Sequence, residues 1–369
     1  MNASTSLTSP STAPSSGPRP SARWRPQPRR LVAVLLFAVM AVYAVFVADE
    51  FGQYQASLIV VYAIAALGQD RLMGRAGQVS LGAAAFMAVG AYVTARLSET
   101  SWAVFPVPIL LSAMAGGAIG LIVGVTGLRF RGLYLALSTL ALQFVVGFAA
   151  KKYQGNNEAG LFTEIPHLGG ISLEPGRNLV ALLVVVLAVL ALALGGLYRR
   201  APGRAWAAIR QNEGAAAVAG IDVRRWKLLA FVGSSAVIAV SGSLYAYVLG
   251  VVNYVPFSLD LAVSILVIVF VGGLGTISGT VIGAAFVVLL PHWLQTLPGQ
   301  VGGGGSFGTW LNDHSPELAV AVYGLALVLV LLFERDGVVG LVRRGVDAAA
   351  NAASRRRAAR PASTEEKAR

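Results

Sequence analysis

The chain has 369 residues, 56% hydrophobic and only 12% charged, with 42 glycines, no cysteine and a formal net charge of +12. Soluble domains carry about 25% charged residues, so half the usual solvating charge is missing and an ordinary soluble enzyme is excluded. The absence of cysteine excludes a disulfide scaffold, a thiolate metal site and a cysteine nucleophile.

Residues 1–28 are rich in Ser, Thr and Pro, and the basic residues Arg23, Arg25, Arg29 and Arg30 close this stretch. Such a segment cannot bury enough apolar surface to offset its ordering entropy, so it reads as a disordered tail. A signal peptide is the rival reading, but Asp49 and Glu50 stand where small residues would mark cleavage, so the first apolar run is read as retained.

Apolar runs follow at residues 31–48, 54–69, 76–96, 106–127, 132–150, 178–197, 228–251, 260–273, 279–297 and 318–333. A crossing takes ~20 apolar residues, so the fold class is an all-α polytopic membrane protein with about ten transmembrane helices. The membrane domain runs over residues 29–336, and a basic tail centred on Arg355 to Arg357 occupies 337–369. Only Asp70 to Arg75 separates the second run from the third, and only the glycine-rich stretch Gly272 to Gly279 separates the eighth from the ninth. Either pair reads equally as a broken helix or a re-entrant segment, giving eight crossings plus a re-entrant pair.

Cytoplasmic loops carry an excess of Lys and Arg. With both termini cytoplasmic, 25 of the 29 Lys and Arg fall inside, and only Arg96, Lys151, Lys152 and Arg177 fall outside. The positive charge is therefore sorted by membrane side, which points to the lipid bilayer as partner and not to nucleic acid.

Catalytic parts are absent from the pattern. His167, His292 and His314 are far apart in sequence and lack metal-ligand spacing, so neither a metal nor a catalytic residue is expected. The chain has no phosphate-binding loop, so it does not hydrolyse a nucleotide by that route. No charged residue occurs from Leu261 to Asn312, and Asp70, Asp260 and Glu317 fall at predicted helix ends, where they read as solvated termini. An ion-coupled transporter generally needs an ionisable group within the membrane, so that class is weakened.

The longest predicted inside connection is the loop 199–226. Pro202 and Gly203 are expected to break the preceding helix. Ala205, Ala208, Ile209, Asn212, Ala216 and Ala219 then recur at spacings near three and four, predicting one short helix that Gly220 ends. Arg204, Arg210, Glu213 and Arg224 form its polar face. A helix lying on the membrane surface and a docking helix for a cytosolic partner both fit this pattern.

The segment GRAWAAIRQNEGAAAVAGIDVRRWKLLAF, from Gly203, resembles the permeases of branched-chain amino-acid ABC importers of the LivM and LivH type. GRAGQVSLG from Gly74 and VGGLGTISG from Val271 are similar to two further blocks of that family. The resemblance covers residues 54–333. It implies a coupling helix that docks on a separate ATPase through Gly203, Arg204, Ile209, Arg210, Glu213, Ala216, Gly220 and Ile221. General ABC permeases place the acidic residue six positions before the glycine, whereas here Glu213 precedes Gly220 by seven.

The resemblance further implies two cytosolic ATPase subunits that use ATP and Mg, a second homologous permease, an extracytoplasmic binding protein, an amino-acid substrate and a place in the bacterial cytoplasmic membrane. This chain itself would hold no cofactor. Gln78 and Ser80 offer hydrogen bonds at membrane depth, while Gly74, Gly77 and Gly82 loosen a helix start, as in a broken-helix site or a close helix contact. Gln78, Ser80, Gly82, Gly273 and Gly275 are the candidate pathway residues, and Gly272 to Gly279 also reads as a tight cytoplasmic turn. The alternatives are a permease for urea or short amides and a stand-alone small-solute channel. The polar N-terminal tail and the 298–316 loop have no counterpart in the resemblance.

Overall fold

The structure, a computed structural model, describes residues 49–100, 105–127, 133–155, 157, 159–168, 171–301 and 324–325. The predicted first span, all but residues 324–325 of the last span, both tails and most of the 298–316 loop lie outside these residues.

The apolar runs between them all form helices. α1 covers Glu50–Asp70 and continues into a single π turn, Arg71–Arg75. α2 (Ala83–Ser98), α3 (Val107–Gly127), α4 (Leu133–Gln154) and α5 (Arg177–Arg199) follow. α6 (Ala201–Gln211) and α7 (Glu213–Val218) lie in the long loop, and α8 (Val223–Leu249), α9 (Leu259–Gly272) and α10 (Ile277–Val301) complete the order. Among the described residues five helices are long and apolar enough to cross a membrane: α1 with its π turn, α3, most of α4, α5 and α8. α2, α9 and the Ile277–Trp293 part of α10 are shorter apolar helices.

Three local expectations need correction. The predicted helix over 76–96 begins only at Ala83, because Gly77 takes φ +69° and the stretch before Ala83 bonds to neighbouring helices. Gln69 Nε2 donates to Ser80 O at 2.6 Å, and Leu81 N donates to Thr139 Oγ1 at 2.9 Å. The single loop helix is two helices, because Asn212 adopts extended backbone (φ −160°) and caps α7, its Oδ1 accepting from Ala215 N at 3.0 Å. The break after α5 falls at Arg200, and Pro202 stands in the first turn of α6, where its missing N–H leaves no bond unmade.

α8 is the central helix, packed against α1, α2 and α3. The apolar stretches of α1 and α8 are 83% and 72% buried, against 28%, 28% and 22% for α3, α4 and α5, so the latter three turn apolar outer faces away from the bundle. The sequence of α3 shows why. Gly116, Gly120 and Gly124 lie on the face toward α8, while Met114, Ile122 and Val125 point outward. Small residues let helices approach closely where lipid provides no hydrophobic drive for association. A Cβ at Gly120 would lie 2.6 Å from Ser235 Oγ, and one at Gly124 2.7 Å from Leu228 Cδ1. Buried hydroxyls add polar ties, with Thr94 Oγ1 donating to Ser243 Oγ at 2.6 Å and Ser112 Oγ to Gly90 O at 3.0 Å. Gly120→Leu is expected to force α3 off α8 and lower the thermal midpoint of the detergent-solubilised chain by several degrees, whereas Ile122→Leu on the outward face leaves it unchanged.

The two ends of the bundle differ. At one end, here the strand end, β1 (Leu161–Phe162) pairs antiparallel with β4 (Val251–Val252), and β2 (His167–Leu168) pairs with β3 (Ile171–Ser172). Gln154 Oε1 there accepts from Tyr92 Oη and Tyr254 N, both at 3.1 Å. Gln143 Nε2 donates to Phe257 O at 2.8 Å, which carries the stretch before α9 inward along α4. The opposite end, the loop end, holds the π turn, α6, α7 and the α9–α10 turn. In that turn Gly272 and Gly279 face each other with no room for a Cβ on either.

Candidate functional site

The three glycine-containing sequence blocks, far apart in the chain, meet at the loop end. Asp70, the last residue of α1, is fully buried and not a solvated terminus. Its Oδ1 accepts from Gly275 N at 2.5 Å. Gly275 has φ +83°, a left-handed conformation that favours glycine. Arg75 Nη2 donates to Gly275 O at 3.2 Å, so both peptide groups of Gly275 are held by the α1 end. Gly74 makes this approach sterically feasible, because a Cβ there would lie 2.6 Å from Asp70 Oδ1 and 2.7 Å from Gly275 N.

Arg210 of α6 supplies the third connection, its Nη1 donating to Gly74 O. The aliphatic stem of Arg210 crosses Gly77, with Cγ 3.4 Å from where a Cβ would sit. Arg71 and Arg75 both approach the Tyr198 ring, 4.7 and 5.5 Å from its centroid. Asp70 therefore faces three guanidinium groups, those of Arg71, Arg75 and Arg210.

The loop itself has a buried side and a bare side. Ala205, Trp206, Ile209 and Ala216 are buried. Trp206 Nε1 donates to Trp226 O at 2.7 Å, and its ring packs on Tyr198 and edge-on to Trp226. Gly203 is required where α6 folds back on α5, because a Cβ there would run into the Tyr198 backbone. Glu213 pairs with Lys227 at the start of α8. Gly220 (φ +81°) closes α7, with Gly220 N donating to Ala217 O and Ile221 N to Ala216 O, both at 3.0 Å. Arg204, Ala215, Ala217, Val218 and Ala219 are exposed, Val218 at 92%.

Of the expected coupling residues, Gly203, Ile209 and Ala216 shape and anchor the loop, Glu213, Gly220 and Ile221 fix α7, Arg204 faces outward, and Arg210 reaches into the cluster. Of the candidate pathway residues, Gly275 belongs to the cluster and Gly273 (φ +88°) precedes it in the turn. Gln78 and Ser80 are buried in the connection after the π turn, and Gly82 abuts Thr139.

Sequence reasoning missed Asp70, Arg71, Tyr198, Thr139 and the buried Trp206. The signal available was Asp70 and Arg71 side by side at the end of an apolar run. Gly275, the partner of Asp70, lies 205 residues away and leaves no local trace.

Seven buried side-chain polar atoms lack a hydrogen-bond partner among the described residues, and five of them belong to Gln69, Asp70, Arg71 and Gln78. Buried polar groups are normally paired, so their concentration around a π turn sets this segment apart from the rest of the core. Among the described residues no group of three His, Cys, Asp or Glu forms a metal site.

The family model described as "Branched-chain amino acid transport system / permease component" matches residues 53–331. The chain is 26% identical over 343 residues to the high-affinity branched-chain amino acid transport system permease protein LivM of Escherichia coli K12, covering 85% of this chain and 75% of that protein. It is 28% identical over 315 residues to LivM of Salmonella typhimurium LT2, covering 78% and 70%. No solved structure matches the chain.

Proposed function

The chain belongs to the branched-chain amino acid transport permease family, and from that membership we propose that it forms part of the translocation pathway of an ATP-driven importer for branched-chain amino acids. It is the membrane-embedded permease subunit of such a system. The observation that carries the mechanism is the meeting of the three sequence blocks at Asp70, Gly74, Arg210 and Gly275.

The loop end is cytoplasmic in this reading, because Arg71, Arg75 and the basic residues of the 199–226 loop lie there. With a predicted span before α1 and another after α10, the chain makes about ten crossings of the bacterial cytoplasmic membrane and has both termini inside. The permease domain is then 29–336, flanked by the two tails.

The bare face of α7, led by Val218, docks in a groove of a cytosolic ATPase subunit, one of two that bind and hydrolyse ATP with Mg. Small exposed residues suit close entry of a short helix. Arg210 carries movement of the loop to the Gly74 carbonyl, and Asp70 carries it on to the α9–α10 turn. The π turn is the element with a second arrangement, and ATP shifts the equilibrium by its different affinity for the two states. Gln78 and Ser80, next to that turn, line the inner mouth of a pathway shared with a second homologous permease. A binding protein delivers the substrate from outside.

The test is reconstitution of the complex in proteoliposomes. Labelled leucine should accumulate only with the binding protein on one side and ATP on the other. Equilibrating leucine flux through this chain alone, without ATP or partners, would overturn the reading in favour of a stand-alone channel.

A further inference from the structure

We infer that the cleft between α5 and α8 at the loop end is a binding site for an anionic phospholipid, with Arg71 receiving the phosphate. The inference rests on the chain being the membrane-spanning permease and adds a ligand to it. α5 packs chiefly on α1 and only marginally on α8, leaving a cavity whose floor is Gly68 of α1 and Arg71 of the π turn. Its walls are Leu194 and Leu197 on one side and Leu229 and Val237 on the other, and Trp206 closes its polar end.

The chemistry of the floor calls for an anion. Arg71 is 5% exposed, and its Nε and Nη2 are buried with no hydrogen-bond partner among the described residues. The Asp70 carboxylate approaches Arg71 Nε only to 4.0 Å, is engaged by Gly275 N–H, and also faces Arg75 and Arg210. One carboxylate therefore stands against three guanidiniums. A buried, incompletely paired charge is costly, and a guanidinium matches the paired oxygens of a phosphate better than any other side chain does.

The walls identify which phosphate. Leu197 and Leu229, on opposite walls, are both exposed (37% and 54%), so the cavity opens onto the apolar outer surface of the bundle. Beside Arg71 the lining carries the Tyr198 and Ser234 hydroxyls, the latter already donating to Gly68 O at 2.8 Å, and the rest of the wall is apolar, which a free inorganic phosphate would leave unmatched. An acyl chain would bury its methylenes there, over the ~10 Å that α8 rises from Ala230 to Val237. Tyr198 and Trp206 sit where amphipathic rings mark the headgroup level, and basic pockets between helices on the cytoplasmic side are general sites for anionic headgroups. A Cβ at Gly233, which lines the same cavity, would meet nothing within 4 Å, so the space is open beside it.

The experiment uses the full chain, delipidated in detergent and exposed to an equimolar mixture of dioleoylphosphatidylglycerol and dioleoylphosphatidylcholine, with retained lipid read by native mass spectrometry. The wild type should retain phosphatidylglycerol at least fivefold over phosphatidylcholine. Arg71→Gln should abolish the preference. Gly233→Leu should fill the cavity and abolish retention with Arg71 still in place, and Leu192→Ala on the outer face should change nothing. Excess inorganic phosphate should leave the lipid bound. Equal retention by wild type, Arg71→Gln and Gly233→Leu would overturn the site, as would displacement of the lipid by inorganic phosphate, which would assign the site to the free ion. ATP-driven leucine uptake is measured separately, with the same protein variants reconstituted in proteoliposomes together with the partner subunits. Normal wild-type uptake without any lipid preference would discard the lipid site and leave the importer intact, whereas absent uptake with a clear preference would do the reverse.

Discussion

Replacing Asp70 with alanine is expected to lower leucine uptake at least tenfold and to destabilise the detergent-solubilised chain by about 3–5 kcal/mol, the usual loss when one partner of a buried charge pair is removed. Asp70 is fully buried, and its Oδ1 holds Gly275 N at 2.5 Å. Without it the Gly275 N–H loses its acceptor and Arg71, Arg75 and Arg210 lose the carboxylate they all face. Asp70→Asn retains an acceptor for the peptide but not the charge, so its loss should be smaller on both readouts. The measurements are initial uptake rates in vesicles and the unfolding midpoint. Full uptake by a stably folded Asp70→Ala protein would show that the α1 end and the α9–α10 turn need not be joined for transport.

The second large effect is expected at Arg210. Arg210→Glu should reduce uptake to background while the assembled complex continues to hydrolyse ATP, because the docking surface proposed on α7 is untouched and the connection to Gly74 is lost. The introduced carboxylate would also face Asp70, and like charges at that position repel. Membrane insertion should be normal, since Arg210 is exposed on a loop helix and belongs to no span. Arg210→Lys keeps the charge but not the fork geometry of the guanidinium, and should recover part of the activity. The decisive readout is ATP hydrolysed per leucine transported, which a merely structural residue would leave unchanged. A normal ratio in a well-expressed Arg210→Glu complex would refute the role of this contact in coupling.

These two residues illustrate how unevenly the site was legible. Arg210 is marked by the periodicity of its segment only as part of the polar face of a short helix, and its expected role in coupling comes from the resemblance of that block to a known family. What it touches was not visible, since Gly74 lies 136 residues earlier. Asp70 was read as a solvated helix end, because at the boundary of an apolar run an isolated carboxylate generally faces water. Its burial depends on a glycine turn from the other half of the chain closing over it.

The sequence by itself determined the class of molecule, the approximate positions of the internal apolar helices and the end of α7. Each of these follows from local quantities: long apolar runs and a glycine free to take the left-handed conformation that Gly220 adopts. Only the tertiary structure decided where α2 begins, why the loop folds as two helices, and that three glycine blocks form one cluster. Those outcomes depend on which hydrogen-bond partners become available once helices pack. Thr139 and Gln69 hold the stretch before Ala83 out of helix, and Gly74 lets Asp70 reach Gly275. Such choices are made by side chains and peptide groups brought together from distant parts of the chain, and helical periodicity within one segment carries no record of them.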